Sequence, residues 1–118
     1  MRILLVDDER ELVSTLAERL SFRGIDADWV ISGEDALKKA ETETYDLAVL
    51  DVKMPRISGI KLKGMLEAKY PDMKFIFMTG HGSEDDFRAG SANAYYLVKP
   101  IGIEALVSKI NEALALDT

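Results

Sequence analysis

Ala48-Val49-Leu50-Asp51-Val52-Lys53-Met54-Pro55 is the stretch on which the reading of this chain turns. An apolar run carries one carboxylate, Asp51, to the point where strand-like character ends. Met54-Pro55 and Ser58-Gly59 then supply turn residues, and a helical pattern resumes at Ile60. A lone acid at the C-terminal end of a buried strand faces the crevice where open α/β sheets place their chemistry. Taken alone, Asp51 has a plainer reading as a cap or turn residue of the loop. Three other places in the chain bear on the choice.

Upstream, residues 2–6 form a short continuous apolar run, as expected of a central parallel strand covered on both faces, and it ends in Asp7-Asp8-Glu9. Leu12, Val13, Leu16, Ala17 and Leu20 follow at helical spacing, with Gly24 as the stop. Asp8 is a candidate N-cap, although one cap leaves a second strand-end acid unexplained. Residues 25–31 read as a second strand, in which Ala27 competes with Trp29 or Val30 for the inward positions and Trp29 is expected to face outward. Ser32-Gly33-Glu34-Asp35 reads as a capping box ahead of a helix with Ala36, Leu37 and Ala40 on its apolar stripe. Residues 45–50 are the third strand.

Downstream of Asp51, Ile60, Leu62, Met65 and Leu66 form a third helix, weakened by Gly64 and ending near Tyr70-Pro71. Residues 73–78 are a fourth strand closed by Thr79-Gly80-His81-Gly82. Ser83-Glu84-Asp85-Asp86 opens a helix that Gly90 and Ser91 cut short, expected to be the most mobile one. Residues 94–98 are a fifth strand ending at Lys99-Pro100, and Ile103, Leu106, Val107, Ile110, Ala113 and Leu114 make a last amphipathic helix. Strand and helix alternate five times with short connections and no linker or repeat. This predicts one domain over 1–118, with a doubly wound five-stranded parallel sheet and helices on both faces.

In a parallel sheet the C-terminal strand ends share one edge. Here those ends carry Asp7, Asp8, Asp51, Thr79 and Lys99. Clustered carboxylates repel one another and call for a cation, and an all-oxygen set suits a hard divalent ion such as magnesium. Lysine is a point-charge partner for phosphate, and a threonine hydroxyl can donate to a phosphoryl oxygen. Together these groups are what phosphoryl transfer to a carboxylate requires.

The motifs Asp7-Asp8-Glu9, Asp51-Val52-Lys53-Met54-Pro55 with Gly59, Met78-Thr79-Gly80-His81-Gly82 and Tyr96-Leu97-Val98-Lys99-Pro100 closely resemble the receiver domain of two-component response regulators, over essentially the whole chain. The resemblance implies a flavodoxin-like strand order 2-1-3-4-5. It implies Asp51 as the acceptor of a phosphoryl group from a sensor histidine kinase or phosphotransfer protein. Mg2+ would be held by Asp7, Asp8, Asp51 and the backbone carbonyl of Lys53. Thr79 and Lys99 would bind the phosphoryl group, and Thr79 and Tyr96 would form a switch that signals to an output domain or partner. It also implies a Lys99-Pro100 bond that is commonly cis, and a phosphorylation-dependent homodimer as one possible assembly. Lys53 and His81 occupy the positions flanking the phosphoryl group and are expected to set its lifetime. The chain departs from the family at a shortened 79–99 stretch, at Ser91-Ala92-Asn93 and at Ile101, which concern the output face.

Composition narrows the alternatives. A net charge of −6 argues against nucleic acid as a direct ligand of this domain, since phosphate binding needs a basic face. Without cysteine there is no disulfide, thiolate or zinc–sulfur chemistry, and one histidine excludes multi-histidine metal sites within a chain. No apolar run approaches membrane-spanning length and Met1-Arg2 leads straight into a strand, so the expected location is cytoplasmic. With no helix-turn-helix or effector enzyme following residue 118, the expectation is a single-domain regulator or a receiver cut from a larger protein. The expected role is signalling, not conventional catalysis, beyond the domain's own phosphorylation and dephosphorylation. A small haloacid-dehalogenase-like phosphatase would want an acid where Lys53 stands. A flavodoxin-like flavin-binding module would want hydroxyls and glycines where Asp7-Asp8-Glu9 stands.

Overall fold

Residues 1–80 and 95–114 are described by the computed structural model. Their strands and helices are β1 (Arg2–Val6), α1 (Arg10–Ser21), β2 (Asp26–Val30), α2 (Gly33–Thr42), β3 (Leu47–Asp51), α3 (Gly59–Lys69), β4 (Lys74–Thr79), β5 (Tyr95–Val98) and α4 (Ile103–Leu114). The helix expected to open at Ser83, and with it His81 and Ser91-Ala92-Asn93, lies outside the described residues.

The five strands form one sheet in the order β2-β1-β3-β4-β5, parallel throughout, the flavodoxin-like arrangement that the resemblance implied. Alternation along each strand feeds two cores. Ile3, Leu5, Leu47, Val49, Ile76 and Met78 pack against α1 and α4, through Val13, Leu16, Leu20, Leu106 and Ile110. Leu4, Val6, Ala48, Leu50, Phe75 and Phe77 pack against α2 and α3, through Ala36, Leu62 and Leu66. Each of these side chains larger than alanine contributes roughly 1.5–3 kcal/mol on burial. Because β1 and β3 are apolar on both faces, a one-residue slip would not be punished inside the strand. It would instead draw Asp7 or Asp51 in between the helices, so the acids at the strand ends help define the register.

Local signals behave as read at most ends. Ser32 Oγ accepts from the Asp35 amide at 3.1 Å, the Ser half of the expected capping box. Ser58 does the same for Lys61 at 3.2 Å, opening α3. Gly24 takes φ +78° just beyond α1, a conformation that suits glycine. The Lys99–Pro100 peptide is cis.

One alternative is excluded and two expectations are corrected. Asp8 does not cap α1: the N-cap is Glu9, with no side-chain cap bond, and the Glu9 amide donates to Asp7 Oδ1 at 2.9 Å. Trp29 does not face outward. It is half-buried with Ala27 against the α1 core, and the Arg10 guanidinium lies 5.4 Å from its ring centroid, because β1 and α1 leave the ring an apolar floor. Met65 is 38% exposed, while Lys63 is buried, pairing with Glu67 at 3.1 Å and lying 5.5 Å from the Phe75 ring centroid. Leu62 and Leu66 set the inner face of α3, and the adjacent lysine stem fits beside them with its charge neutralised.

Candidate functional site

The same alternation that builds the α1/α4 core carries it past the strand ends. Asp7 is the next position after Ile3 and Leu5, Asp51 after Leu47 and Val49, and Lys99 after Tyr95 and Leu97, all residues of that core or packed against it. Three apolar columns therefore terminate in a carboxylate, a carboxylate and an ammonium on one side of the sheet. Thr79 ends β4 on the other alternation, after Phe75 and Phe77. Asp7 is 0%, Asp51 6% and Thr79 1% exposed, whereas Asp8 is exposed.

Lys99 is the hub. Its Nζ lies 2.7 Å from Asp7 Oδ2, 3.3 Å from Glu9 Oε1 and 3.5 Å from Asp51 Oδ1. Its backbone N–H donates to the Thr79 carbonyl at 2.8 Å, which joins β4 to the turn after β5. The shortest of these contacts is to Asp7, which is fully buried, so the ammonium is held against the most desolvated of the three carboxylates. The Thr79 hydroxyl donates to the Gly80 carbonyl at 3.1 Å.

One ammonium does not neutralise this set. Burial, and then the charge of Asp7, push the Asp51 carboxyl up to about 6, with Asp8 adding to the push and Lys99 opposing it. Burial also raises Asp7, against the pull of Lys99 and the Glu9 amide. Lys99 is itself drawn down by burial, but its contacts with Asp7 and Asp51 outweigh this and hold it above the ordinary lysine value. Carboxylate oxygens of Asp7, Asp8 and Asp51 lie within 4.8 Å of one another. An under-neutralised, all-oxygen cluster of three carboxylates fits a hard divalent cation such as Mg2+, whose usual ligands are one or two carboxylates and water.

These groups open into a cleft of ≈ 450 Å³ lined by Asp8, Glu9, Asp51, Val52, Lys53, Thr79, Gly80 and Lys99. A hollow of ≈ 360 Å³ on the opposite edge, among Tyr45, Tyr70 and Met73, holds none of the strand-end groups, so the chemistry belongs to the first cleft. The structure thus brings Asp7, Asp8, Asp51, Thr79, Lys99 and Lys53 together. Tyr96, on β5 and paired in register with Phe77, is 41% exposed and stands apart from the cleft. His81 lies outside the described residues.

Two residues have more weight than the sequence reading assigned them. Glu9 was one acid of a triplet, yet it supplies a further carboxylate to Lys99. Gly59 closes the loop after Asp51: its N–H donates to the Val52 carbonyl at 2.9 Å, and a Cβ there would overlap the Asp51 carbonyl oxygen. Strand alternation was the available signal for separating buried Asp7 from exposed Asp8. Nothing local announces the reach of Glu9.

Comparison with known proteins points to one family. A family model described as "Response regulator receiver domain" matches residues 3–111. The chain is 35% identical over 116 residues to the response regulator MprA of Mycobacterium leprae, covering 97% of this chain and 51% of that protein. It is 34% identical over 113 residues to the response regulator protein FleR of Pseudomonas aeruginosa, covering 92% of this chain and 24% of that protein. The chain therefore spans about half the length of the first relative and a quarter of the second. Among solved structures it is similar to the response regulator protein TrrA of Thermotoga maritima in complex with Mg2+-BeF, with TM-score 0.83, 37% identity, and coverage of 96% of this chain and 98% of that one. TrrA in complex with the histidine kinase ThkA gives TM-score 0.79 and 36% identity, covering 96% of this chain and 97% of that one.

Proposed function

The chain belongs to the response regulator receiver domain family, and from that premise we propose that Asp51 accepts a phosphoryl group from the phosphohistidine of a histidine kinase or phosphotransfer protein. The observation that carries the proposal is the placement of the Asp51 carboxylate. It is nearly buried at the end of the central strand, 3.5 Å from the Lys99 ammonium and within 4.8 Å of two further carboxylates.

The chemistry follows from the groups in place. An Asp51 oxygen attacks phosphorus in line with the donor, and the P–O bond forms as the P–N bond breaks. The electron pair passes to the imidazole nitrogen, which takes a proton from water. With its carboxyl at about 6, Asp51 is largely ionised at neutral pH and available as the nucleophile. Lys99 has to shift its ammonium from Asp7 and Glu9 towards the incoming phosphoryl oxygens. Thr79 has to turn its hydroxyl from the Gly80 carbonyl towards the same oxygens. Asp7, Asp8, Asp51 and the Lys53 carbonyl would hold Mg2+, which when bound offsets the carboxylate repulsion and the charge on the phosphoryl oxygens.

The consequence is a signal passed on. The domain is a signalling module that catalyses its own phosphorylation and dephosphorylation. The Tyr96 ring, 41% exposed, would turn inward as Thr79 moves to the phosphoryl group, and this pair is the two-state element through which an output domain or partner protein senses Asp51. The TrrA–ThkA complex supports a histidine kinase as donor, and the greater length of MprA supports an attached output segment.

The test is incubation with a small phosphodonor and Mg2+, read by intact mass. The expected result is one phosphate on the parent, none on Asp51→Asn, and none on the parent when the metal is chelated. Labelling of Asp51→Asn at the parent stoichiometry would place the acceptor elsewhere.

A further inference from the structure

The loop between β3 and α3 is pinned at its base by Gly59, and its tip is held in a costly shape. The Ile57 N–H donates to the Pro55 carbonyl at 2.8 Å around Arg56, whose φ is +67°. An i→i+2 bond about a residue of positive φ is the rare, strained form of γ-turn. Glycine would sit there without penalty, but this chain has arginine. Such a conformation persists only where surrounding contacts hold it.

Those contacts come from the start of α2. Gly33 lies so close beneath Ile57 that a Cβ on it would stand 2.8 Å from Ile57 Cβ. Arg56 Nε donates to Glu34 Oε2 at 2.7 Å, and Glu34 Oε1 is buried without a hydrogen-bond partner among the described residues. The pair lies outside the strand-end cleft, yet Arg56 is three residues from Lys53, which lines it.

We propose that Glu34 is a positioning residue for the phosphoryl site: its ion pair with Arg56 holds the 55–57 turn against its own strain and thereby fixes Lys53 at the mouth of the cleft. The consequence for phosphoryl lifetime rests on the reading of Asp51 as acceptor, while the restraint on the loop does not. An exposed ion pair contributes little to global stability. Here it has only to bias a loop between two shapes. If its loss leaves about one third of molecules with the held loop, a ligand that needs that shape binds about threefold more weakly.

Amide exchange across 53–57, Mg2+ affinity and the thermal midpoint are measured without phosphodonor. The proteins are the parent, Glu34→Gln, Glu34→Ala, Arg56→Gly and the Glu34→Ala/Arg56→Gly double variant. Glu34→Ala is expected to speed exchange at 53–57 by about threefold or more and to weaken Mg2+ by a similar factor. Glu34→Gln, which still accepts a hydrogen bond, lies between it and the parent. In the Arg56→Gly background, where glycine adopts positive φ unaided, adding Glu34→Ala changes neither quantity. The thermal midpoint stays within about 2 °C of the parent in Glu34→Ala, which separates positioning from a general structural role. Exchange accelerated less than threefold, or accelerated equally in the Arg56→Gly background, overturns the proposal. Failure of phosphorylation at Asp51 would instead count against the acceptor reading and leave the loop result standing.

Discussion

Asp51 is buried beside a second carboxylate, and both circumstances favour its protonated form, which ties its titration to stability. In the unfolded chain an aspartate titrates near its ordinary value, whereas in the folded state this one is raised to about 6. Between those two values the folded state binds more protons than the unfolded state, so stability falls as pH rises through the window, and above about 6 the whole penalty is present. Asp51→Asn removes the ionisable group. Without metal it is expected to be more stable than the parent at pH 7.5, by up to about 3 kcal/mol, with the difference shrinking towards zero as pH falls to 4. Denaturant unfolding at both pH values checks this, and a gap of the same size at each would contradict it. Lys53 poses a different question, because it is exposed yet lines the cleft. Hydrolysis of an acyl phosphate needs a water in line with the scissile bond, and a long cationic side chain across the mouth obstructs it. Lys53→Ala and Lys53→Asn are expected to lose the phosphoryl group roughly threefold faster, under 1 kcal/mol in barrier, at saturating Mg2+. An unchanged or slower decay in both variants would show that the lysine has no such role.

Between β3 and α3 the element-scale problem is to turn the chain sharply without moving Asp51. Gly59 solves it by backbone contact: its N–H reaches the Val52 carbonyl, and there is no room for a side chain beside the Asp51 carbonyl. Ser58 then caps the helix that follows. Gly59→Ala must push the first turn of α3 away from β3 and is expected to cost about 2–3 kcal/mol, the upper part of the range for overpacking a tight core site. Ser58→Ala loses only a cap and should cost about 1 kcal/mol. Urea titration of both variants distinguishes them: similar losses would mean that the close approach at Gly59 is relieved by small shifts. The buried Lys63 on the same helix shows how far tertiary contact overrides a sequence pattern, since its neighbour Met65 takes the exposed position.

Across the whole molecule, the strand ends collect more negative charge than one lysine offsets, so cation binding and folding are coupled. A ligand that binds the folded state alone stabilises it by mass action, by about 2.7 kcal/mol at a hundredfold excess over Kd. For a domain of this size that is a rise of roughly 8–12 °C in Tm. Mg2+ should produce such a rise at pH 7.5 in the parent. The rise should be largely lost in Asp7→Asn and Asp51→Asn, and smaller at pH 5, where protons compete for the same carboxylates. Equal rises in parent and Asp51→Asn would remove Asp51 from the cation site.

The alternation of strands and helices was legible because hydrophobic periodicity is a local property, and residues 2–6 or 45–50 display it whatever surrounds them. Asp7, Asp51, Thr79 and Lys99 were legible as candidates for a similar reason: each is a polar group where an apolar run stops. The strand order itself came from a family resemblance, because nothing in the periodicity of single segments says which strands are neighbours. Tertiary structure alone decided that Lys99 is shared among Asp7, Glu9 and Asp51, that Trp29 packs inward, and that Glu34 reaches Arg56. In each case the deciding free energy is desolvation or charge pairing with a residue far along the chain, ninety positions away for Glu9 and Lys99. Sequence periodicity tells which groups leave water together, but which partner each charge meets is set only when the sheet brings the strand ends to one edge.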